Sequence, residues 1–105
     1  MVISPSAIPA GGEISFSFNL LSTAACEQQL VVDYVVYLMR ANGAQTPKVF
    51  KLTHKTLAAG ESIVLSKRHS FKEITTRRYY PGLHAVEIQV NGVACARAEF
   101  EVLAA

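Results

Sequence analysis

The sequence has no tryptophan, only two cysteines and only 17% charged residues, and each shortage closes off a class of protein. Two thiols, Cys26 and Cys95, can neither build a disulfide framework nor fill a four-ligand zinc site. Both read as free thiols of a reducing compartment, and none of the three asparagines opens an Asn-x-Ser/Thr acceptor. The longest apolar run, residues 34–39, is six residues long, against the roughly 20 that cross a bilayer. Residues 1–5 lack the positive stretch and following apolar run of a secretory signal. No membrane partner is expected, and a cytoplasmic location is.

Catalytic groupings are missing as well. His54, His69 and His84 stand singly, without a metal-ligand spacing to another histidine, a cysteine or a carboxylate. The carboxylates Glu99 and Glu101 alternate as a solvated strand face does, so no acid–base pair is suggested. Ser66, Ser70, Thr75 and Thr76 have no evident base, and the six glycines fall at turns without a phosphate-cradling spacing. The expectation is no catalytic residue, no metal, no cofactor and no small-molecule substrate.

What is present is a half-apolar chain whose apolar residues recur at every second position, the period of a strand face. Residues 3–8, interrupted by Pro5, fit an edge strand, since proline cannot donate to a ladder on both sides. In residues 13–21, Ile14, Phe16, Phe18 and Leu20 share one face. In residues 30–40, Val32, Tyr34, Val36 and Leu38 point inward, while Val31, Val35 and Met39 make the opposite face apolar too. Residues 49–53 alternate lysines with Phe50 and Leu52, which puts Lys51 on the solvent face. Residues 62–69 start apolar and end in Lys67, Arg68 and His69, so that end is expected to leave the core. Residues 71–82 lack a period and read as a long structured loop. Residues 83–90 and 93–103 alternate on either side of Asn91-Gly92, a strong hairpin signal because both turn positions take positive φ.

Seven short strands with turns every ten or so residues predict one all-β domain over residues 1–105, an immunoglobulin-like two-sheet antiparallel β-sandwich of about seven strands. Tyr79 or Tyr80, just before the penultimate strand, suits the tyrosine corner of such folds. Cys26 in a loop and Cys95 in the last strand do not match an antibody-type bridge.

Charge is unevenly spread. Residues 48–84 hold eight Lys or Arg against Glu61 and Glu73, a net of +6, while the remainder sums to −4. Residues 66–82 add hydroxyls and aromatics to five of those cations. Guanidinium groups bind phosphate bidentately and hydroxyls donate to phosphate oxygens, so the mixture suits a nucleic-acid backbone. The candidate DNA-binding residues are Lys67, Arg68, His69, Lys72, Thr75, Thr76, Arg77 and Arg78. A solvated loop with its own small core around Phe71 and the tyrosines accounts for the same composition.

The runs Lys48-Val49-Phe50-Lys51-Leu52, Leu65-Ser66-Lys67-Arg68-His69-Ser70-Phe71 and Ile74-Thr75-Thr76-Arg77-Arg78-Tyr79-Tyr80-Pro81-Gly82-Leu83-His84, with Val90-Asn91-Gly92, carry a resemblance over most of the chain. They resemble the carboxy-terminal immunoglobulin-like domain of bacterial alkylation-repair DNA glycosylases of the HEAT-repeat superfamily, the AlkC branch. The resemblance implies an accessory domain without catalysis of its own, acting on double-stranded DNA beside a covalently linked or cognate helical-repeat domain. That helical domain, which would remove alkylated purines, has no counterpart in these residues. The competing expectation is a protein-interaction or spacer module that touches no nucleic acid, motivated by the apolar outer face at Val31, Val35 and Met39.

Overall fold

Eight strands make up the regular structure of this computed structural model, which describes residues 1–72 and 79–104. They are β1 (Val2–Ser4), β2 (Ala7–Ile8), β3 (Glu13–Leu21), β4 (Gln28–Met39), β5 (Gln45–Leu57), β6 (Ser62–Ser70), β7 (Gly82–Val90) and β8 (Val93–Val102). A three-stranded sheet runs β1-β3-β6 and a five-stranded sheet runs β2-β8-β7-β4-β5. The expected immunoglobulin-like sandwich is what the chain forms.

The alternation seen in the sequence sets which face is buried. In β3, Ile14, Phe16 and Phe18 are buried; in β4, Val32, Tyr34, Val36 and Leu38 are; in β7, His84, Val86 and Ile88 are. Residues directly opposite in an antiparallel pair share a face, so the pairs Tyr34↔Phe50, Tyr34↔Ile88, Phe16↔Lys67 and His84↔Phe100 carry this inward set through both sheets.

Several boundaries differ from the sequence reading. The first strand is divided at the Ser4-Pro5 peptide: β1 pairs antiparallel with β3, whereas β2 pairs with β8 and is parallel, so the sandwich is not wholly antiparallel. The strand expected at residues 49–53 spans Gln45–Leu57 and includes Pro47. β5 is the outermost strand of its sheet, where a proline without an N–H costs no inter-strand bond on the free side. A bulge in β8 opposite Ile88/Gln89 leaves Cys95 without a register partner, and Ala94 beyond it is exposed although it lies an even number of residues from buried Phe100 and Val102. At the hairpin tip Asn91 (φ 51°) and Gly92 (φ 80°) take the expected conformation. The Asn91 side chain accepts a hydrogen bond from the Val31 N–H (2.9 Å), tying that turn to β4.

The core is held by a column of rings. Phe16 meets Tyr34 edge-on (5.2 Å between centroids), Tyr34 stacks on Phe50 (5.1 Å), and His69 lies against Phe50 (4.8 Å) and Phe71 (5.0 Å). Phe71 then contacts Tyr79, His84 and Phe100 at 5.0, 5.7 and 5.3 Å. Phe71 lies just past β6, is fully buried and donates its N–H to the Gly12 carbonyl. Because it touches rings from β6, β7 and β8, Phe71→Ala should destabilise the domain by about 3–5 kcal/mol, the usual range for emptying such a site. Urea unfolding measures this. A loss below about 1 kcal/mol would mean the column closes without it.

Candidate nucleic-acid interface

β5 and β6 are the outermost strands of their respective sheets, and they follow one another in the chain through the turn at residues 58–61. That turn is tight: Glu61 N–H donates to the Ala58 carbonyl and the Ala58 N–H donates to the Glu61 carboxylate, both at 3.0 Å. Both free edges therefore lie on one side of the sandwich, as the Phe50–His69 ring contact between them requires. Most of the basic residues among those described sit here: Lys48, Lys51 and Lys55 on β5, Lys67 and Arg68 on β6, and Lys72 just beyond it, all exposed.

Strand alternation separates the predicted cations. Lys67 lies opposite Phe16 and so occupies an inward register position at the edge, whereas Arg68 lies opposite Ser15 on the outer face of the three-stranded sheet. The two meet at a shallow depression lined by Ser15, Ser66, Lys67 and Arg68. Two hydroxyls and two cations around one hollow are a donor set suited to an oxyanion. Arg68 has a partner, Glu13, at 4.0 Å; with the two side chains 78% and 56% exposed, the pair is a loose one that solvent screens. Lys72 follows Ser70, whose hydroxyl accepts the Lys72 N–H at 3.2 Å.

His69 does not belong with these surface groups. It was expected to leave the core with Lys67 and Arg68, yet it is only 9% exposed and its Nδ1 lies 3.0 Å from the Tyr34 hydroxyl. The physical reason is register: His69 stands opposite buried Ile14, two residues before Phe71, and joins the ring column. Thr75, Thr76, Arg77 and Arg78 lie outside the described residues. What the sequence reading did not include in the site is the basic content of β5. Its lysines were visible as charge, but only the topology brings them beside β6.

His84 is fully buried, and its Nδ1 lies 3.1 Å from the Gly82 carbonyl, which fixes the proton on Nδ1. Its Nε2 is buried and has no hydrogen-bond partner among the described residues. Burial lowers the pKa of this imidazole from its ordinary value of 6.5, and the Gly82 bond opposes the shift. Among the described residues no group of three or more His, Cys, Asp or Glu is placed to hold a metal ion, and no helix is long and apolar enough to cross a membrane.

The chain matches the family described as the C-terminal Ig-like domain of the uncharacterised protein YhaZ, over residues 1–104. It belongs to that family. A relative from Bacillus subtilis (strain 168), named YhaZ, is 31% identical over 98 residues, which is 93% of this chain and 27% of the relative. Among solved structures, the Pseudomonas fluorescens alkylpurine DNA glycosylase AlkC, bound to DNA containing an abasic site analog, superposes with a TM-score of 0.94 at 40% identity. That match covers 97% of this chain and 29% of the glycosylase. The resemblance to the AlkC sandwich read from the sequence is thus met by the fold. A β-glucosidase from Listeria innocua also superposes, with a TM-score of 0.78 at 15% identity, covering 98% of this chain and 16% of the enzyme. At that identity the likeness is one of fold alone. The YhaZ-type domain thus spans under a third of each relative that it resembles in sequence.

Inside this domain the pH dependence of stability has a defined sign. The unfolded chain protonates His84 near pH 6.5, and the folded chain resists until its lowered pKa is reached. Stability should therefore be flat with respect to this group above about pH 6.5 and should fall as pH drops through the window below it. Urea midpoints taken from about pH 7.5 down to about pH 5 should decline less steeply in His84→Gln than in the parent. Equal slopes would show that His84 does not contribute to the acid sensitivity.

Proposed function

We propose that this domain is a non-catalytic accessory module of an alkylation-repair protein, contacting the backbone of duplex DNA beside a separate helical-repeat domain that does the chemistry. The observation that carries the reading is the 0.94 TM-score at 40% identity with a DNA glycosylase bound to DNA. The placement of Lys67, Arg68 and Lys72 on an exposed edge leading into residues 73–78 supports it. The contacting set in this reading is Lys67, Arg68, Lys72, Arg77 and Arg78 as cations, with Thr75 and Thr76 as hydroxyl donors. His69 is left out because its ring packs internally.

Such a set needs no catalytic group. Each cation that settles on a phosphate releases a condensed counterion, so affinity comes from salt-dependent charge neutralisation and carries little sequence preference. A reducing, cytoplasmic setting suits the two exposed free thiols, Cys26 and Cys95.

A second reading, docking to another protein, is favoured by Val31, Val49 and Leu83, which stay 37%, 57% and 45% exposed on or beside the outer face of the five-stranded sheet. One titration separates the two. Fluorescence anisotropy of a labelled short duplex should report weak binding at low salt, with the five cations alone setting the slope of log affinity against log salt at about −4.5. Arg77→Glu with Arg78→Glu should weaken binding and reduce that slope by about 1.8. A parent domain that leaves the anisotropy unchanged at low salt would remove the DNA reading in favour of the protein-docking one. A double variant that binds like the parent would remove the loop arginines from it.

A further inference from the structure

We infer that the open side of the sandwich, where the free edges of β5 and β6 face each other, is a second phosphate-contacting surface built from Lys48, Lys55 and Lys67 and laid along the DNA backbone. This rests on the proposed function, and it adds a site on β5 that the basic loop does not include.

Register is the first observation. Lys48 stands opposite Val36, Lys55 opposite Leu30 and Lys67 opposite Phe16, and all three of those partners are buried core residues. The lysines therefore occupy inward positions of their strands while being exposed. An inward lysine can do this only at an edge, where its aliphatic stem covers the margin of the core and its ammonium reaches past it into water. Phe50, Leu52, Ile63 and Leu65, half-buried between the same two strands, supply that margin.

Charge is the second. The two other cations on these strands point to the outer faces and have acidic neighbours: Arg68 has Glu13 at 4.0 Å, and Lys51 lies directly opposite Asp33 in the β4–β5 ladder. Among the described residues the Arg68–Glu13 pair is the only salt bridge, so Lys48, Lys55 and Lys67 have no carboxylate within ion-pair distance there. Three ammonium groups of one sign on one side, with no carboxylate partner among the described residues, form a positive strip.

Spacing is the third. Lys48 and Lys55 are seven residues apart on one strand, roughly 20 Å at the usual rise and allowing for the bulge near Leu52. Lys67 lies between them from the facing edge, nearest the level of Phe50 and Leu52, since its neighbour His69 meets Phe50. A DNA strand presents its phosphates at regular short intervals, about 3.4 Å of helix axis apart, so a strip of that length is long enough to meet more than one of them. Since Phe50 meets His69 near the end of β6, the Lys48 end of the strip is the end toward which β6 runs on to Lys72.

The test compares two double variants with the same change in net charge. Lys48→Glu with Lys55→Glu alters the strip, whereas Lys51→Glu with Arg97→Glu alters the outer face of the five-stranded sheet. With a labelled short duplex as probe, the strip adds two contacts to the five of the loop set and brings the parent salt slope to about −6.3. The strip variant should bring it back to about −4.5, and the outer-face variant should leave it near the parent value. Thermal unfolding of all three checks that the fold is retained. If Lys48→Glu with Lys55→Glu misfolds, Lys48→Met with Lys55→Met, which keeps most of the unbranched apolar stem and loses the charge, should give the same reduction in slope. Equal slopes for parent and strip variants, or equal losses for strip and outer-face variants, would overturn the inference and leave the loop reading intact. A parent domain that fails to bind at low salt would instead overturn the proposed function on which the strip depends.

Discussion

The contact between Phe71 and His69 is the one on which the arrangement of the rest depends. β6 has a partner strand on one side only, so hydrogen bonding to β3 fixes its register but not the way its end meets the other sheet. The rings supply that second constraint. His69 reaches Tyr34 and Phe50 of the five-stranded sheet, and Phe71 reaches His84 and Phe100. Edge-to-face pairs of this kind add about 0.5–1.5 kcal/mol each beyond the area they bury, and they prefer particular angles, so they orient as well as stabilise. With His69 and Phe71 fixed, alternation dictates that Lys67 rides the seam, Arg68 turns outward, and Lys72 begins the departure from the sandwich.

The same column explains which parts of the fold could be read in advance. Wherever one face was apolar and the other polar, as at Ile14-Phe16-Phe18 or Val86-Ile88, the period of two named both the strand and its buried side. Asn91-Gly92 named the hairpin for a stereochemical reason that no tertiary contact can override. Reading failed where neighbours in space outweigh neighbours in sequence. Pro47 looks like the end of a strand until β5 proves to be an edge, and His69 looks like part of a charged exit because it follows Lys67-Arg68. Its burial depends on Tyr34 and Phe50, which no local window includes.

The candidate site was legible as an amount of charge and not as a shape. Counting residues shows +6 between positions 48 and 84, but a strand sends its successive side chains to opposite faces, so adjacent Lys67 and Arg68 leave β6 on different sides and share only the hollow beside Ser15 and Ser66. Conversely Lys48 and Lys67, nineteen positions apart, share one side because two different sheets end there. The outer face of the five-stranded sheet shows the reverse case. The apolar Val35 seemed to call for a covering partner, yet it is 2% exposed within the domain itself. Around it Tyr37 donates to Glu87, Gln89 donates to the same carboxylate, and Arg97 lies 4.5 Å above the Tyr37 ring.

Edge strands need protection, and inward-pointing lysines are one of the ways sheets obtain it, because a charge that cannot be buried blocks a second sheet from docking. That requirement accounts for a lysine on each free edge here. It does not account for the lack of compensation. A guarding lysine works equally well beside a glutamate, and pairing would relieve the repulsion among like charges gathered on one flank. The outer faces of the same two strands have such neighbours in Glu13 and Asp33, while the seam has none within ion-pair distance among the described residues. Protection alone would permit either arrangement, whereas a surface that exchanges its counterions for phosphates gains from the unpaired one, because no carboxylate competes for the cation.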